Sequence, residues 1–142
     1  RMDQREEVDF GRFVPALCEA LAEGNAGRAR VSCEVVDAAP VPASTAVALA
    51  LTLNELVTNS MKHGAGADLC IRVQCRRAGD RLALCVQDNG PGFPAGFEIA
   101  TARSFGMKMV RSVIAQTGGS LMILPSDEGA RLEILVPLAP ES

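Results

Sequence analysis

Residues 53–64 read LNELVTNSMKHG, and the fold turns on which way the helix they form is facing. At about 100° per residue, Thr52, Glu55, Asn59, Lys62 and His63 fall within an arc of roughly 100°, and leucines, valines and alanines fill the rest. A helix that is apolar nearly all round is buried. A polar strip on it must then face a partner or a cavity, because burying unpaired polar groups costs several kcal/mol. Taken alone, the strip fits the solvent side of a surface helix equally well, and His63 fits a helix end that favours a cation. The helix is expected from about Thr45 to His63. Ser44 or Thr45 would be its N-cap, and Gly64 stands where a left-handed C-cap belongs.

The flanking segments have clear periods. DFGRFVPALCEALAEGNAG places Phe10, Phe13, Leu17 and Leu21 at helical spacing and predicts about three turns. ARVSCEVVD alternates, with Val31, Cys33 and Val35 on one side, and predicts a strand. DLCIRVQCRR and RLALCVQD are two strands joined by AGD, a hairpin signal. NGPGFPAGFEIATARS lacks a period and predicts a mobile loop. FGMKMVRSVIAQTGG is a third helix, and SLMILPS and ARLEILVPL are two last strands turned by DEG. Hairpins mixed with helices predict an α+β fold, a two-layer α/β sandwich with a mixed, mostly antiparallel sheet on about three helices.

Composition narrows the function classes. The 142 residues are 48% hydrophobic and 22% charged, which supports a packed core in one domain. A net charge of -3 without a Lys/Arg run argues against a broad nucleic-acid or membrane surface, so any phosphate should be held locally. No apolar stretch approaches the ~20 residues of a membrane span, and no signal-peptide pattern opens the chain, which points to the cytoplasm. Cys18, Cys33, Cys70, Cys75 and Cys85 contain no C-x-x-C pair and sit mostly in periodic apolar segments, so they are expected to be reduced.

Two further stretches give the polar strip a context. In CVQDNGPGF, Asp88 ends an apolar strand and is followed by Gly90 and Gly92. A carboxylate there can accept from an exocyclic amine while glycines let the chain turn beside a ligand, which favours adenine over guanine. A plain D-N-G turn is the bland alternative. In SFGMKMV, Gly106 opens a helix directly after the loop, and helix-start N–H groups attract phosphate oxygens. The bland alternative is an ordinary helix start with Ser104 as its N-cap.

N-E-L-V-T-N-S-M-K-H, D-N-G-P-G-F, S-F-G-M-K-M-V and D-E-G-A-R-L-E-I-L-V-P resemble, in order and spacing, the N, G1, G2 and G3 boxes of the ATP-binding domain of bacterial sensor histidine kinases. The resemblance runs from about Val8 to Pro137. The K-H ending of the first box and the short loop between Phe93 and Ser104 look like the HWE-related branch. The W-x-E of the HWE branch itself is missing because the chain has no Trp, so the neighbouring branch that keeps D-N-G-x-G fits better. Ala130 follows Gly129 where the family commonly has Thr, and Phe105 replaces the usual Leu.

The resemblance implies the left-handed β-α-β sandwich shared with DNA gyrase B, Hsp90 and MutL (the Bergerat or GHKL fold), with ATP between the helix and a mobile lid. It implies that Asn59 ligates Mg²⁺, that Glu55 polarises the attacking nucleophile, and that Lys62 and His63 contact phosphates. Asp88 would select adenine, Gly90 and Gly92 would shape its pocket with Gly129 in the last box, and Ser104 and Gly106 would cradle phosphate. A phosphoacceptor histidine domain, in cis or in trans, and a downstream response regulator are the implied partners. His63 is the only histidine and lies in the expected pocket, so the acceptor is expected elsewhere. Residues 1–9 are expected to be the tail of a missing helical hairpin, and 10–142 the catalytic domain. Two rivals share the fold, an anti-sigma factor that phosphorylates serine and an interaction module that has lost ATP.

Overall fold

A computed structural model of the chain describes residues 6–25, 27–63 and 68–140. The elements are β1 (Glu7–Val8), α1 (Phe10–Gly24), β2 (Arg30–Val35), β3 (Val41–Pro42), α2 (Ala43–His63), β4 (Cys70–Ala78), β5 (Arg81–Asp88), α3 (Phe105–Gln116), β6 (Ser120–Ile123) and β7 (Arg131–Pro137). A single 3-10 turn, Ile99–Thr101, interrupts the expected loop. The main sheet has the order β2-β4-β5-β7-β6. β2 and β4 are parallel, which the long crossover through α2 permits, and the other pairs are antiparallel. The three helices pack on one face, which gives the expected α+β two-layer sandwich.

The core forms where the two periods meet. Leu49, Leu53 and Val57, four residues apart on α2, are wholly buried. They face a period-two set from the sheet that includes Ile71, Val73, Leu84 and Ile134. Burying each such side chain contributes about 1.5–3 kcal/mol. On β5 the inward register runs Leu82, Leu84, Val86 and then Asp88, so alternation alone carries the carboxylate to the helix side at the strand end.

The expected start of α2 is corrected. Val41–Pro42 pairs with Glu7–Val8 as a small antiparallel ladder, and the N–H of Ala43 donates to Glu6 O at 3.0 Å. The helix therefore begins at Ala43, and Ser44 and Thr45 lie inside it rather than capping it. Gly64, the expected C-cap, lies outside the described residues. The β4–β5 hairpin turns tightly through Gly79 and Asp80, with Ala78 opposite Arg81. All five cysteines are free. No helix among the described residues is long and apolar enough to cross a membrane.

Candidate functional site

A cavity of about 660 Å³ opens between the C-terminal half of α2, the inner end of β5, the loop after it and the start of α3. Its volume suits a small-molecule ligand. Val86, Leu132, Leu56 and Met107 give it apolar walls, and Phe93 and Phe97 stack on one another at 4.9 Å with rings 7° from parallel. Asn59, Lys62, His63, Asp88, Gly92 and Ser104, six of the ten expected site residues, line this one space.

Asp88 is the buried charge of the site, 7% exposed. Its Oδ1 accepts from the N–H of Gly90 at 2.9 Å and of Ala130 at 3.0 Å, and its Oδ2 accepts from Ser60 Oγ at 2.6 Å. Three donors hold the carboxylate in place and leave Oδ2 with acceptor capacity to spare. Gly90 thus acts through its backbone and does not line the cavity. Gly129, at φ +69, packs so closely on Asp88 that a Cβ there would overlap the Asp88 carbonyl. Gly92, at φ +83, lies over Gly129 in turn. These two glycines let the G1 loop and the turn before β7 close on each other behind the carboxylate.

On α2, Asn59 Nδ2 donates to Met107 Sδ at 3.5 Å, which turns the amide oxygen away from the thioether. Among the described residues no cluster of three or more His, Cys, Asp or Glu could hold a metal. A single amide oxygen suits an ion such as Mg²⁺, which keeps its waters and takes most other ligands from phosphates. Lys62 and His63 are exposed on the cavity wall at the end of the helix.

Glu55, one turn before Asn59, is half-buried and stays off the cavity wall. Its carboxylate lies against Gly106 at the start of α3, where any Cβ would overlap it. Thr52 departs from the expected strip, since it is wholly buried and its Oγ1 finds no partner among the described residues. Ser104 caps α3 by accepting from the Met107 N–H at 3.2 Å, as the plain helix-start reading expects, and also lines the cavity.

Sequence reasoning missed Ser60, Arg103 and the phenylalanine pair. Ser60 stands next to Asn59 and is the one side chain from α2 that reaches Asp88, but a lone serine in a helix carries no period. Arg103 lines the cavity from the loop. Its signal was a basic residue immediately before a helix cap at a phosphate-favouring helix start.

Comparison with known proteins gives the family of the fold. The chain is 27% identical to blue-light-activated histidine kinase 2 of Erythrobacter litoralis over 93% of its own length and 39% of that protein. It is 31% identical to sensor histidine kinase PdtaS of Mycolicibacterium smegmatis over 70% of its length and 21% of that protein. It thus spans well under half of these relatives. Among solved structures, the histidine kinase domain of the Erythrobacter litoralis blue-light activated kinase superposes with a TM-score of 0.80 at 23% identity, covering 92% of this chain and 62% of that one. The ATP binding domain of PrrB from Mycobacterium tuberculosis superposes at 0.78 and 21% identity, covering 97% and 99%. Residues 44–140 match the model for histidine kinase-, DNA gyrase B- and HSP90-like ATPases. The chain belongs to that family, as a GHKL ATP-binding domain of the sensor histidine kinase type.

Proposed function

We propose that this domain transfers the γ-phosphate of ATP to a histidine on a phosphoacceptor domain outside these 142 residues. The observation that carries the reading is that a buried carboxylate with acceptor capacity to spare, Asp88, and a polar strip, Asn59, Lys62 and His63, line the same cavity. Asp88 Oδ2 accepts from the adenine amine. Stacked Phe93 and Phe97 and the apolar wall exclude water around the base. Asn59 is the protein ligand for Mg²⁺, which when bound neutralises charge on the phosphates. Lys62, His63, Arg103 and the start of α3 at Gly106 face the phosphates.

Phosphoryl transfer asks the protein mainly for positioning and charge neutralisation. The acceptor imidazole nitrogen attacks the γ-phosphorus, the bond from that phosphorus to the bridging oxygen breaks, and ADP leaves. Glu55, half-buried against the start of α3, polarises the imidazole and takes its N–H proton. His63 faces the nucleotide and is the only histidine in the sequence, so the acceptor comes from another domain, in cis or in trans, and a response regulator receives the phosphate from it. The reading puts the domain on the cytoplasmic side, where ATP is available.

The test is transfer from labelled ATP to a separately purified dimerisation and phosphoacceptor domain. A product labile in acid and stable in base supports histidine. An acid-stable product overturns that reading in favour of a serine kinase of the same fold.

A further inference from the structure

The loop between Phe93 and Ser104 is tied down at one point. Arg111, on the second turn of α3, donates through one guanidinium nitrogen to Ile99 O at 2.7 Å and Ala102 O at 2.9 Å. Those two carbonyls bracket the 3-10 turn Ile99–Thr101, which closes on itself through the Ala102 N–H to Ile99 O at 3.2 Å. Arg111 is half-buried, and its two acceptors are neutral carbonyls rather than a carboxylate. A charge-assisted donor bridging two carbonyls of one turn fixes that turn's distance and orientation to the helix. Arg103 is the next residue after Ala102, and Ser104 then caps the same helix. Arg103 is thereby held at both sides, by the Arg111 clamp before it and the Ser104 cap after it, and it lines the cavity. The rest of the loop, with Gly92 and Gly96 at φ +83 and +80, has no comparable anchor to α3 among the described residues.

We infer that Arg111 is a positioning residue for the triphosphate: it ties the Ile99–Ala102 turn to α3 and so presents Arg103 to the phosphates. The inference rests on the reading of the cavity as an ATP site. It divides the loop into a mobile first half and a second half that moves with α3. The ordering cost of that second half is met before ligand arrives, which is how a preorganised contact gains affinity.

The experiment measures dissociation constants for Mg-ATP and for adenosine by calorimetry on the wild-type domain, Arg111→Met, Arg103→Met and the double variant. Wild-type binding of Mg-ATP is the control for the parent reading, and its absence would overturn that reading before the clamp is at issue. Arg111→Met is expected to weaken Mg-ATP about tenfold and adenosine less than twofold, because only the triphosphate reaches Arg103. Arg103→Met is expected to show the same split, and the double variant is expected to be no weaker than the worse single one. Limited proteolysis should cut Arg111→Met within 99–103 faster than wild type. Equal losses for ATP and adenosine, or effects of the two variants that simply multiply, would overturn the clamp. Unaltered ATP binding in Arg111→Met would do so as well.

Discussion

Replacing Asp88 by Asn changes one atom and should invert which base the cavity accepts. Oδ1 receives two backbone N–H groups, from Gly90 and Ala130. An asparagine must keep its oxygen there, since the flipped amide would set a donor against two donors. The NH₂ group therefore replaces Oδ2, beside Ser60, whose hydroxyl turns from donor to acceptor at little cost. The fold keeps all three contacts and loses about 1 kcal/mol as charge-assisted bonds become neutral ones. Adenine fares worse, because its amine now meets a donor. Losing a charge-assisted bond of about 1.5–3 kcal/mol, with further cost for the donors left unpaired, gives a total near 3–4 kcal/mol, or roughly 100- to 1000-fold in Kd. A 6-oxo purine would find the donor it needs. Calorimetry with Mg-ATP and Mg-ITP should therefore show ATP affinity collapsing and the ATP-to-ITP preference reversing, while the melting temperature falls by only a few degrees. Asp88→Asn binding ATP within about threefold of wild type would refute the assignment of the carboxylate.

Asn59→Ala should weaken Mg-ATP at least tenfold while adenosine binds as before, and equal loss for both would remove the metal role. Gly106→Ala adds a Cβ where the Glu55 carboxylate lies, so that flexible group must swing aside. Alanine gains up to about 1 kcal/mol of helix propensity, so stability should hold while phosphotransfer falls ten- to a hundredfold, a larger loss than any in ATP affinity. Thr52→Val removes a buried hydroxyl without a partner and should raise stability by about 1 kcal/mol in urea titrations. Burial pushes the Cys18 and Cys75 thiols up from 9.0 to about 12 and about 11, and burial raises Cys33 too. A raised thiol pKa means the folded chain holds the proton longer. Stability should be flat below pH 9 and should fall above it as the unfolded chain ionises, by about 1 kcal/mol per buried thiol at pH 10. Urea midpoints at pH 8 and pH 10 should converge in a Cys18→Ala, Cys75→Ala variant, and an undiminished alkaline loss would point to other groups.

What was legible in the sequence depended on local period. α1, α2, α3 and the five strands of the main sheet announce themselves because one face of each is apolar at 3.6 or 2 residues. Asp88 was legible because it continues the inward alternation of Leu82, Leu84 and Val86. β1 and β3 were not, since two-residue strands exist only through their pairing with each other. The same pairing moved the start of α2 to Ala43, where a backbone bond to Glu6 substitutes for a side-chain cap. Thr52 has the right angle for the strip but the wrong depth, because it is wholly buried and angle alone carries no record of a neighbour. Ser60 and Arg111 make their contacts across 28 residues and into an aperiodic loop, and single polar residues leave no pattern to read.

The stacked pair Phe93 and Phe97 has an optical consequence. The chain contains neither Trp nor Tyr, so its near-ultraviolet spectrum is almost empty. A Trp introduced at position 97 would be the sole fluorophore, seated on the wall of the cavity and in ring contact with Phe93. Arrival of a purine would then be read as quenching of one emitter against a dark background, and the same molecule could time the departure of product after each turnover.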